Sequence, residues 1–234
     1  MDSLIHIDQQ WLLAINGWHA EWADMLMWYV SKSATWLPLY ALLLGLVVYR
    51  FGIQWYRSTL NTRSTPNTPT LSKQKALLRV LIVLAGFAVA VGLSDFISSG
   101  LIKPWVCRLR PTHEPALAGM VHLVNGYTGG MYGFVSSHAA NTMACALLFS
   151  LLYRNKYATI GLMLWVALNC YSRMYLGVHY PGDIIGGLLV GAALASLTYA
   201  LVRRLLARVD ARLVRSVASC KQTAGDGGSP TAGS

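Results

Sequence analysis

The residues best suited to chemistry lie between Ser172 and Asp183, where the chain reads S-R-M-Y-L-G-V-H-Y-P-G-D. This stretch separates two apolar runs, so Arg173, His179 and Asp183 fall near a lipid boundary, where ionisable side chains are costly and usually functional. A histidine with an aspartate four residues later, behind an arginine, supplies a nucleophile, its orienting group and an anion clamp, the set that phosphoryl transfer needs. Asp183 opens a helix, where a carboxylate is stabilised as the anion. It can accept a hydrogen bond from one ring nitrogen of His179 and leave the other free to attack. The same residues also suit simpler roles, as an ordinary cap and as interfacial side chains snorkelling out of the bilayer.

Two further stretches carry matching groups. In K-P-W-V-C-R-L-R-P, residues 103–111, Lys103 and Arg110 are seven residues apart, two turns on one face if the backbone is helical, with Pro104 set against that regularity. A lysine point charge beside an arginine fork suits a phosphate, and a basic juxtamembrane cluster is the other reading. In G-F-V-S-S-H, residues 133–138, Ser136, the backbone N–H of Ser137 and the amides opening the next helix form an anion cradle. His138 stands beside it, placed to donate a proton. Plain helix capping by Ser136 or Ser137 is the alternative. Asp95, eight residues before Lys103, either pairs with Lys103 or Arg110 behind the site or is a packed polar residue near the outer interface. His113, Glu114 and His122 fit no standard metal-ligand spacing and read as loop surface or substrate rim. Cys107, Cys145, Cys170 and Cys220 show neither metal spacing nor a disulfide framework. No metal and no cofactor are expected.

The elements that must position these residues are membrane helices. The chain has 234 residues, 55% hydrophobic and 12% charged, with a mean hydropathy of +0.45, which excludes an ordinary soluble domain. Near-uncharged runs at about 34–51, 76–100, 138–153, 157–176 and 183–202 predict an all-α integral membrane protein, a helical bundle of about five transmembrane helices. Before them, residues 4–16 and 20–31 place aromatic and aliphatic side chains on one face, interrupted by Asp8, Glu21 and Asp24, and read as N-terminal interfacial helices. No basic n-region or cleavage site of a signal peptide is visible. The organisation predicted is interfacial helices over 1–33, a transmembrane domain over 34–207 with a flexible cytoplasmic loop over 52–75 between its first two spans, and a cytoplasmic, disordered tail over 208–234.

Charge sets the orientation. Arg50, Arg57, Arg63, Lys73, Lys75, Arg79, Arg154, Lys156 and the six Lys and Arg after residue 202 place 14 of the 19 basic residues on one side of a five-span arrangement. The positive-inside rule makes that side cytoplasmic, so the loops 103–135 and 177–182 face outward, as do the N-terminal helices. The basic residues sit in loops without aromatic interleaving, so the net charge of +10 serves topology and no nucleic acid partner is expected. All three chemical stretches fall on the outward side, in a topology derived without reference to them.

K-x6-R-P, then S-x-H, then S-R-x5-H-x3-D resembles the three-part signature of the type 2 phosphatidic acid phosphatase family, which shares its core with the vanadium haloperoxidases. The resemblance covers about residues 80–200. It implies a bundle of membrane helices around a metal-independent phosphatase site. Lys103, Arg110 and Arg173 would hold the phosphate, aided by Ser136 and the Ser137 amide. His179 would be the nucleophile forming a phosphohistidine, Asp183 its partner, and His138 the acid that protonates the leaving group. Where the family usually has Pro-Ser-Gly-His, this chain has Val135-Ser136-Ser137-His138, so Ser137 supplies its amide without glycine's freedom.

The function expected is removal of phosphate from a phosphorylated lipid of the undecaprenyl diphosphate, phosphatidylglycerol phosphate or phosphatidic acid type. The setting is the bilayer of a bacterial inner membrane, with the site facing the periplasm. Lipid A dephosphorylation, for which the long 103–135 loop leaves room, is the alternative, as is phosphotransfer to a lipid acceptor. No obligate protein partner is evident. A non-catalytic anion transporter fits less well, because the chain shows no inverted repeat and its charges gather at one face of the membrane, not its midplane.

Overall fold

A computed structural model describes residues 2–61 and 69–225. The elements in chain order are α1 (Asp2–Gly17), α2 (Glu21–Ser31), α3 (Leu37–Val47), α4 (Trp55–Asn61), α5 (Pro69–Asp95), α6 (Lys103–Val106), α7 (Ser137–Tyr153), α8 (Lys156–Tyr175) and α9 (Pro181–Gly225). π-Helical turns join α3 to α4 over Val48–Gln54 and α5 to α6 over Phe96–Ile102. Among the described residues the only β pairing is one isolated bridge between Leu109 and Tyr132. The fold is the all-α membrane architecture expected from the sequence.

Three helical stretches, Ser33–Asn61, Ser72–Val106 and Pro181–Ala211, are long and apolar enough to cross a membrane. The third and fourth spans read from the sequence exist as α7 and α8, of 17 and 20 residues. Both are less apolar for a physical reason. α7 buries Ser137, Thr142 and Ser150 against protein, and α8 buries Asn169, Ser172 and Arg173, so polar residues there face neighbouring helices and not lipid. Helix replaces part of the polar loop predicted over 52–75: α4 runs to Asn61 and α5 begins at Pro69, while 62–68 lie outside the described residues. Likewise α9 runs on to Gly225, through the first part of the segment read as a disordered tail, and 226–234 lie outside the described residues.

The chain forms two compact units, residues 1–43 with 87–199, and residues 44–86 with 200–234. Within the second, Arg79 on α5 pairs with Asp210 on α9 at 2.6 Å and lies over the Trp55 ring. The first unit holds every candidate site residue.

Small residues set the backbone separations in that unit. A Cβ on Gly187 would come within 2.4 Å of the Ser136 carbonyl oxygen, and one on Gly191 within 2.2 Å of that of Ala140. These glycines, one turn apart on α9, let its backbone lie directly on the first turns of α7. One turn earlier, the carbonyl of Asp183 accepts the Ser136 N–H at 3.0 Å, which fixes the start of α9 against the start of α7.

The N-terminal helices have two unlike faces. Leu4 and Trp11 of α1 and Trp22 of α2 are exposed, and the opposite faces are docked. Leu12 of α1 packs with Leu117 and Tyr180, and Ala23 and Met27 of α2 pack with Val124, Tyr175, Leu176 and Val178. Asn16, almost fully buried, donates to the carbonyls of His122 and Tyr175 and accepts the His122 N–H. Asp24 accepts hydrogen bonds from the Tyr175 hydroxyl at 2.6 Å and is paired with His122 at 2.9 Å. His113 and His122 therefore part company: His122 is engaged in docking α1 and α2, whereas His113 bonds its neighbour Thr112.

Candidate active site

A cavity of about 560 Å³ opens in the first unit, and Lys103, Arg110, Ser137, His138, Arg173 and His179 all line it. Three helices and two loops deliver them. Lys103 stands where the π turn after α5 hands over to α6, and its Nζ donates to Ser137 Oγ at 2.7 Å. Ser99, one turn earlier and also on the cavity wall, bonds the same hydroxyl at 2.7 Å. π-Helical turns are enriched at functional sites because the extra residue re-aims a side chain.

The helical spacing read between Lys103 and Arg110 is not how the two meet. α6 ends at Val106, Cys107 turns into the left-handed region with φ 51°, and the chain runs extended past Arg108 to Arg110. There it pairs briefly with 131–133, Arg110 N–H to the Met131 carbonyl and Gly133 N–H to that of Arg108, both at 2.9 Å. Pro104 at the start of α6 is tolerated because a helix's first turn has no partner for its missing N–H. Arg110 is buried, with Nε on the Tyr132 carbonyl at 3.0 Å. Its Nη1 occupies the place where a Cβ on Gly129 would be, 2.2 Å away, and Gly129 itself has φ 68°, so only glycine serves at that point.

Arg173, from the last turn of α8, is buried to 3% exposure. It donates to the Ser31 hydroxyl on α2 and to the Tyr127 hydroxyl at 3.4 Å. Neither partner is charged. Arg110 Nη1 and Arg173 Nε are buried and have no hydrogen-bond partner. Buried guanidinium nitrogens without an acceptor are costly unless an anion completes them, and three cations share this cavity with a single lining carboxylate, Asp95. Asp95 does not pair with them directly: its Oδ1 accepts from Asn141 Nδ2 on α7 at 3.1 Å.

The two serines divide their roles. Ser136 is fully buried, and its hydroxyl caps α7 by accepting the Ala139 N–H at 3.5 Å, so its side chain takes the capping role weighed for it from the sequence. Ser137, by contrast, turns its hydroxyl to Lys103 and the cavity. His138 follows on the same first turn and lines the cavity with it.

His179 lies in the short connection between α8 and α9, with 1% exposure. Its Nδ1 is 3.3 Å from Asp183 Oδ2, which also accepts the Tyr180 N–H at 3.0 Å. A carboxylate already receiving one N–H is an acceptor toward the ring, so Nδ1 carries the proton and Nε2 keeps its lone pair. Burial, and after it Arg110, Arg173 and Lys103, hold the imidazole pKa well below its ordinary value. The ring is therefore neutral and nucleophilic at pH 7. Asp183 is completely buried behind it.

Sequence reasoning missed Arg108, which sits 2.9 Å from Asp183 Oδ1, and Asp8, Ser31, Ser99 and Tyr127. Arg108 had a signal: two residues before Arg110 on extended backbone, it falls on the same side of the chain. Ser99 had one too, four residues before Lys103 on a helix. Asp8, Ser31 and Tyr127 reach the site through contacts that no local pattern announces.

Known proteins resemble this chain over most of its length. The chain is 32% identical over 226 residues to a lipid A 4'-phosphatase of Bacteroides thetaiotaomicron, covering 95% of this chain and 90% of the relative. It is 30% identical over 199 residues to a lipid A 4'-phosphatase of Porphyromonas gingivalis, covering 85% and 74%. A solved structure, the transmembrane PAP2-type phosphatidylglycerolphosphate phosphatase from Bacillus subtilis, shares the fold with a TM-score of 0.57 at 20% identity, over 87% of this chain and 88% of that one. A family model described as the PAP2 superfamily matches residues 79–207, which takes in the cation pair, the serine–histidine turn and the histidine–aspartate pair. The chain belongs to the PAP2 superfamily.

Proposed function

We propose that this protein is a membrane lipid phosphatase that hydrolyses a lipid phosphate through a phosphohistidine on His179. The observation that carries the reading is that Lys103, Arg110 and Arg173 line the same cavity as His179, with Asp95 as the single lining carboxylate. A phosphate bound there meets three cations, the Ser137 hydroxyl and the free Nε2 of His179. Attack by Nε2 on phosphorus breaks the bond to the lipid oxygen, and His138 supplies the proton that this oxygen takes up. The ring keeps its Nδ1 proton against Asp183, so the phosphorylated imidazole is a cation paired with a carboxylate. Water then attacks the phosphohistidine, giving up a proton to His138, and inorganic phosphate leaves.

Lipid A is the substrate reading that the relatives favour, since two lipid A 4'-phosphatases align over 95% and 85% of the chain. Purified protein offered a panel of lipid A, phosphatidylglycerol phosphate, phosphatidic acid and undecaprenyl diphosphate should release phosphate from at least one, with lipid A preferred. Activity should survive EDTA, because the described residues contain no group of three His, Cys, Asp or Glu able to hold a metal ion and the cations already neutralise a phosphate dianion. No phosphate release from any lipid would sink the function. Loss in EDTA restored by a divalent ion would sink the mechanism.

The site faces the periplasm of a bacterial inner membrane in this proposal, on the strength of the charge asymmetry. Met120 and Lys156 are both exposed, and single cysteines placed there in a cysteine-free background should label from opposite faces. Labelling of the Met120 position only from the cytoplasmic side would reverse the topology.

A further inference from the structure

The carboxylate that orients His179 is itself held from outside the cavity. Asp183 divides its oxygens: Oδ2 serves the imidazole and the Tyr180 N–H, and Oδ1 accepts from Arg108 Nη1 at 2.9 Å. The other terminal nitrogen of Arg108 donates to Asp8 Oδ2 on α1 at 2.6 Å. The second oxygen of Asp8 accepts the N–H of Gly182 at 2.8 Å, the residue beside Asp183 in the first turn of α9. Asp8 thus grips both the arginine and the backbone that carries the buried carboxylate. Gly182 allows the approach, since a Cβ there would come within 2.8 Å of Asp8 Oδ2. The guanidinium also lies over the Tyr180 ring, 4.1 Å from its centroid, which fixes its plane.

The charges in this chain of contacts alternate. Arg108 alone would cancel Asp183, leaving no net charge behind the imidazole. With Asp8 the three groups sum to −1, so a cationic phosphorylated ring still faces net negative charge. A planar fork held at both ends also stops the carboxylate from rotating away from Nδ1.

We propose that Asp8 and Arg108 are positioning residues for the nucleophile, and that the N-terminal helix thereby forms part of the catalytic apparatus by holding Asp183 in register with His179. The proposal rests on the lipid phosphatase reading above. Neither residue touches the cavity, so removing them should slow the chemical steps and leave substrate binding nearly intact.

The test is steady-state kinetics of Asp8→Asn, Asp8→Glu, Arg108→Lys and Arg108→Met on the best lipid phosphate of the panel, with melting temperatures measured in the same detergent. Asp8→Asn keeps the shape and an acceptor for Gly182 but loses the charge. Its kcat should fall about 10–100-fold, by analogy with the loss seen when the hydrogen-bond partner of a metal-ligating residue is removed, with KM changed by less than about threefold. Asp8→Glu should recover most of that loss. Arg108→Lys should retain part of the activity and Arg108→Met less, and the double variant Asp8→Asn/Arg108→Met should be no slower than Arg108→Met alone, since Asp8 acts through the arginine. A kcat for Asp8→Asn within twofold of the parent overturns the proposal, as does a rise in KM at constant kcat, or additive losses in the double variant. If Asp8→Asn does not fold, the Asp8→Glu and Arg108→Lys values decide by the same kcat-against-KM criterion. A parent protein that releases no phosphate from any lipid overturns the functional reading, and this inference with it; an active parent with unaffected variants overturns this inference alone.

Discussion

Replacing His179 by alanine should abolish turnover on every substrate, whatever its leaving group, because His179 is the imidazole on the cavity wall whose Nδ1 is held by Asp183, leaving Nε2 free to attack. His138→Ala should behave differently. A lipid alcohol is a poor leaving group and needs a proton as it departs, whereas a diphosphate departs as a phosphate of low pKa and needs it less. General acid assistance is worth about 10²–10⁴-fold, so the His138 variant should lose that factor on a monoester and clearly less on the diphosphate of the same lipid. The measurement is phosphate release from both lipids by both variants, with acid-labile phosphate trapped on the parent enzyme and located by peptide mapping. Substantial activity of His179→Ala on either lipid, or phosphate found on His138, would contradict the assignment.

Asp183→Asn should cost nearly as much. The amide is isosteric, but it presents either an N–H or a neutral oxygen to the ring, and neither stabilises a cationic imidazole as a carboxylate does. The matching change in a serine protease triad, another protein, lowers kcat by about 10⁴, and a loss of about 10³–10⁴-fold is expected here. Arg108 would be left facing a neutral group at one end, yet Asp8 still neutralises it at the other. The variant should therefore fold, which a melting curve checks. Activity within about tenfold of the parent would show that the carboxylate does not support the nucleophile.

Much of this site was legible in the sequence because its residues cluster near helix ends, where local rules hold. His179 and Asp183 are four apart around the start of α9, so one turn of backbone brings them together. Ser136 sits where a cap must sit, and its hydroxyl went to capping while Ser137 met Lys103. The two-turn spacing read between Lys103 and Arg110 failed because Cys107 ends the helix in a left-handed turn, a conformation that no residue type in that run signals. The docked faces of α1 and α2 were hidden for another reason. Their exposed aromatics satisfy an interfacial pattern, while the hydrogen bonds that dock the opposite faces beside Leu12, Ala23 and Met27 come from Asn16, Asp24 and Asp8, which in a sequence look like interruptions of an apolar face. Polar residues that bond over such separations carry no periodicity to read.

The pairing of α1 with the start of α9 also orders events during synthesis. Asn16 meets the Tyr175 carbonyl across 159 positions of the chain, and Asp8 meets Gly182 across 174. Closing so long a loop costs little more entropy than closing one of half the length, but it cannot happen before the later partner exists. At about 5–20 residues per second, the ribosome delivers Gly182 roughly 10–35 s after Asp8. During that interval α1, whose Trp11 and Leu4 remain exposed even in the folded chain, has no partner at the start of α9. The nucleophile and the helix that braces it come together only when almost the whole chain has been made, so truncated products from interrupted translation carry no assembled site.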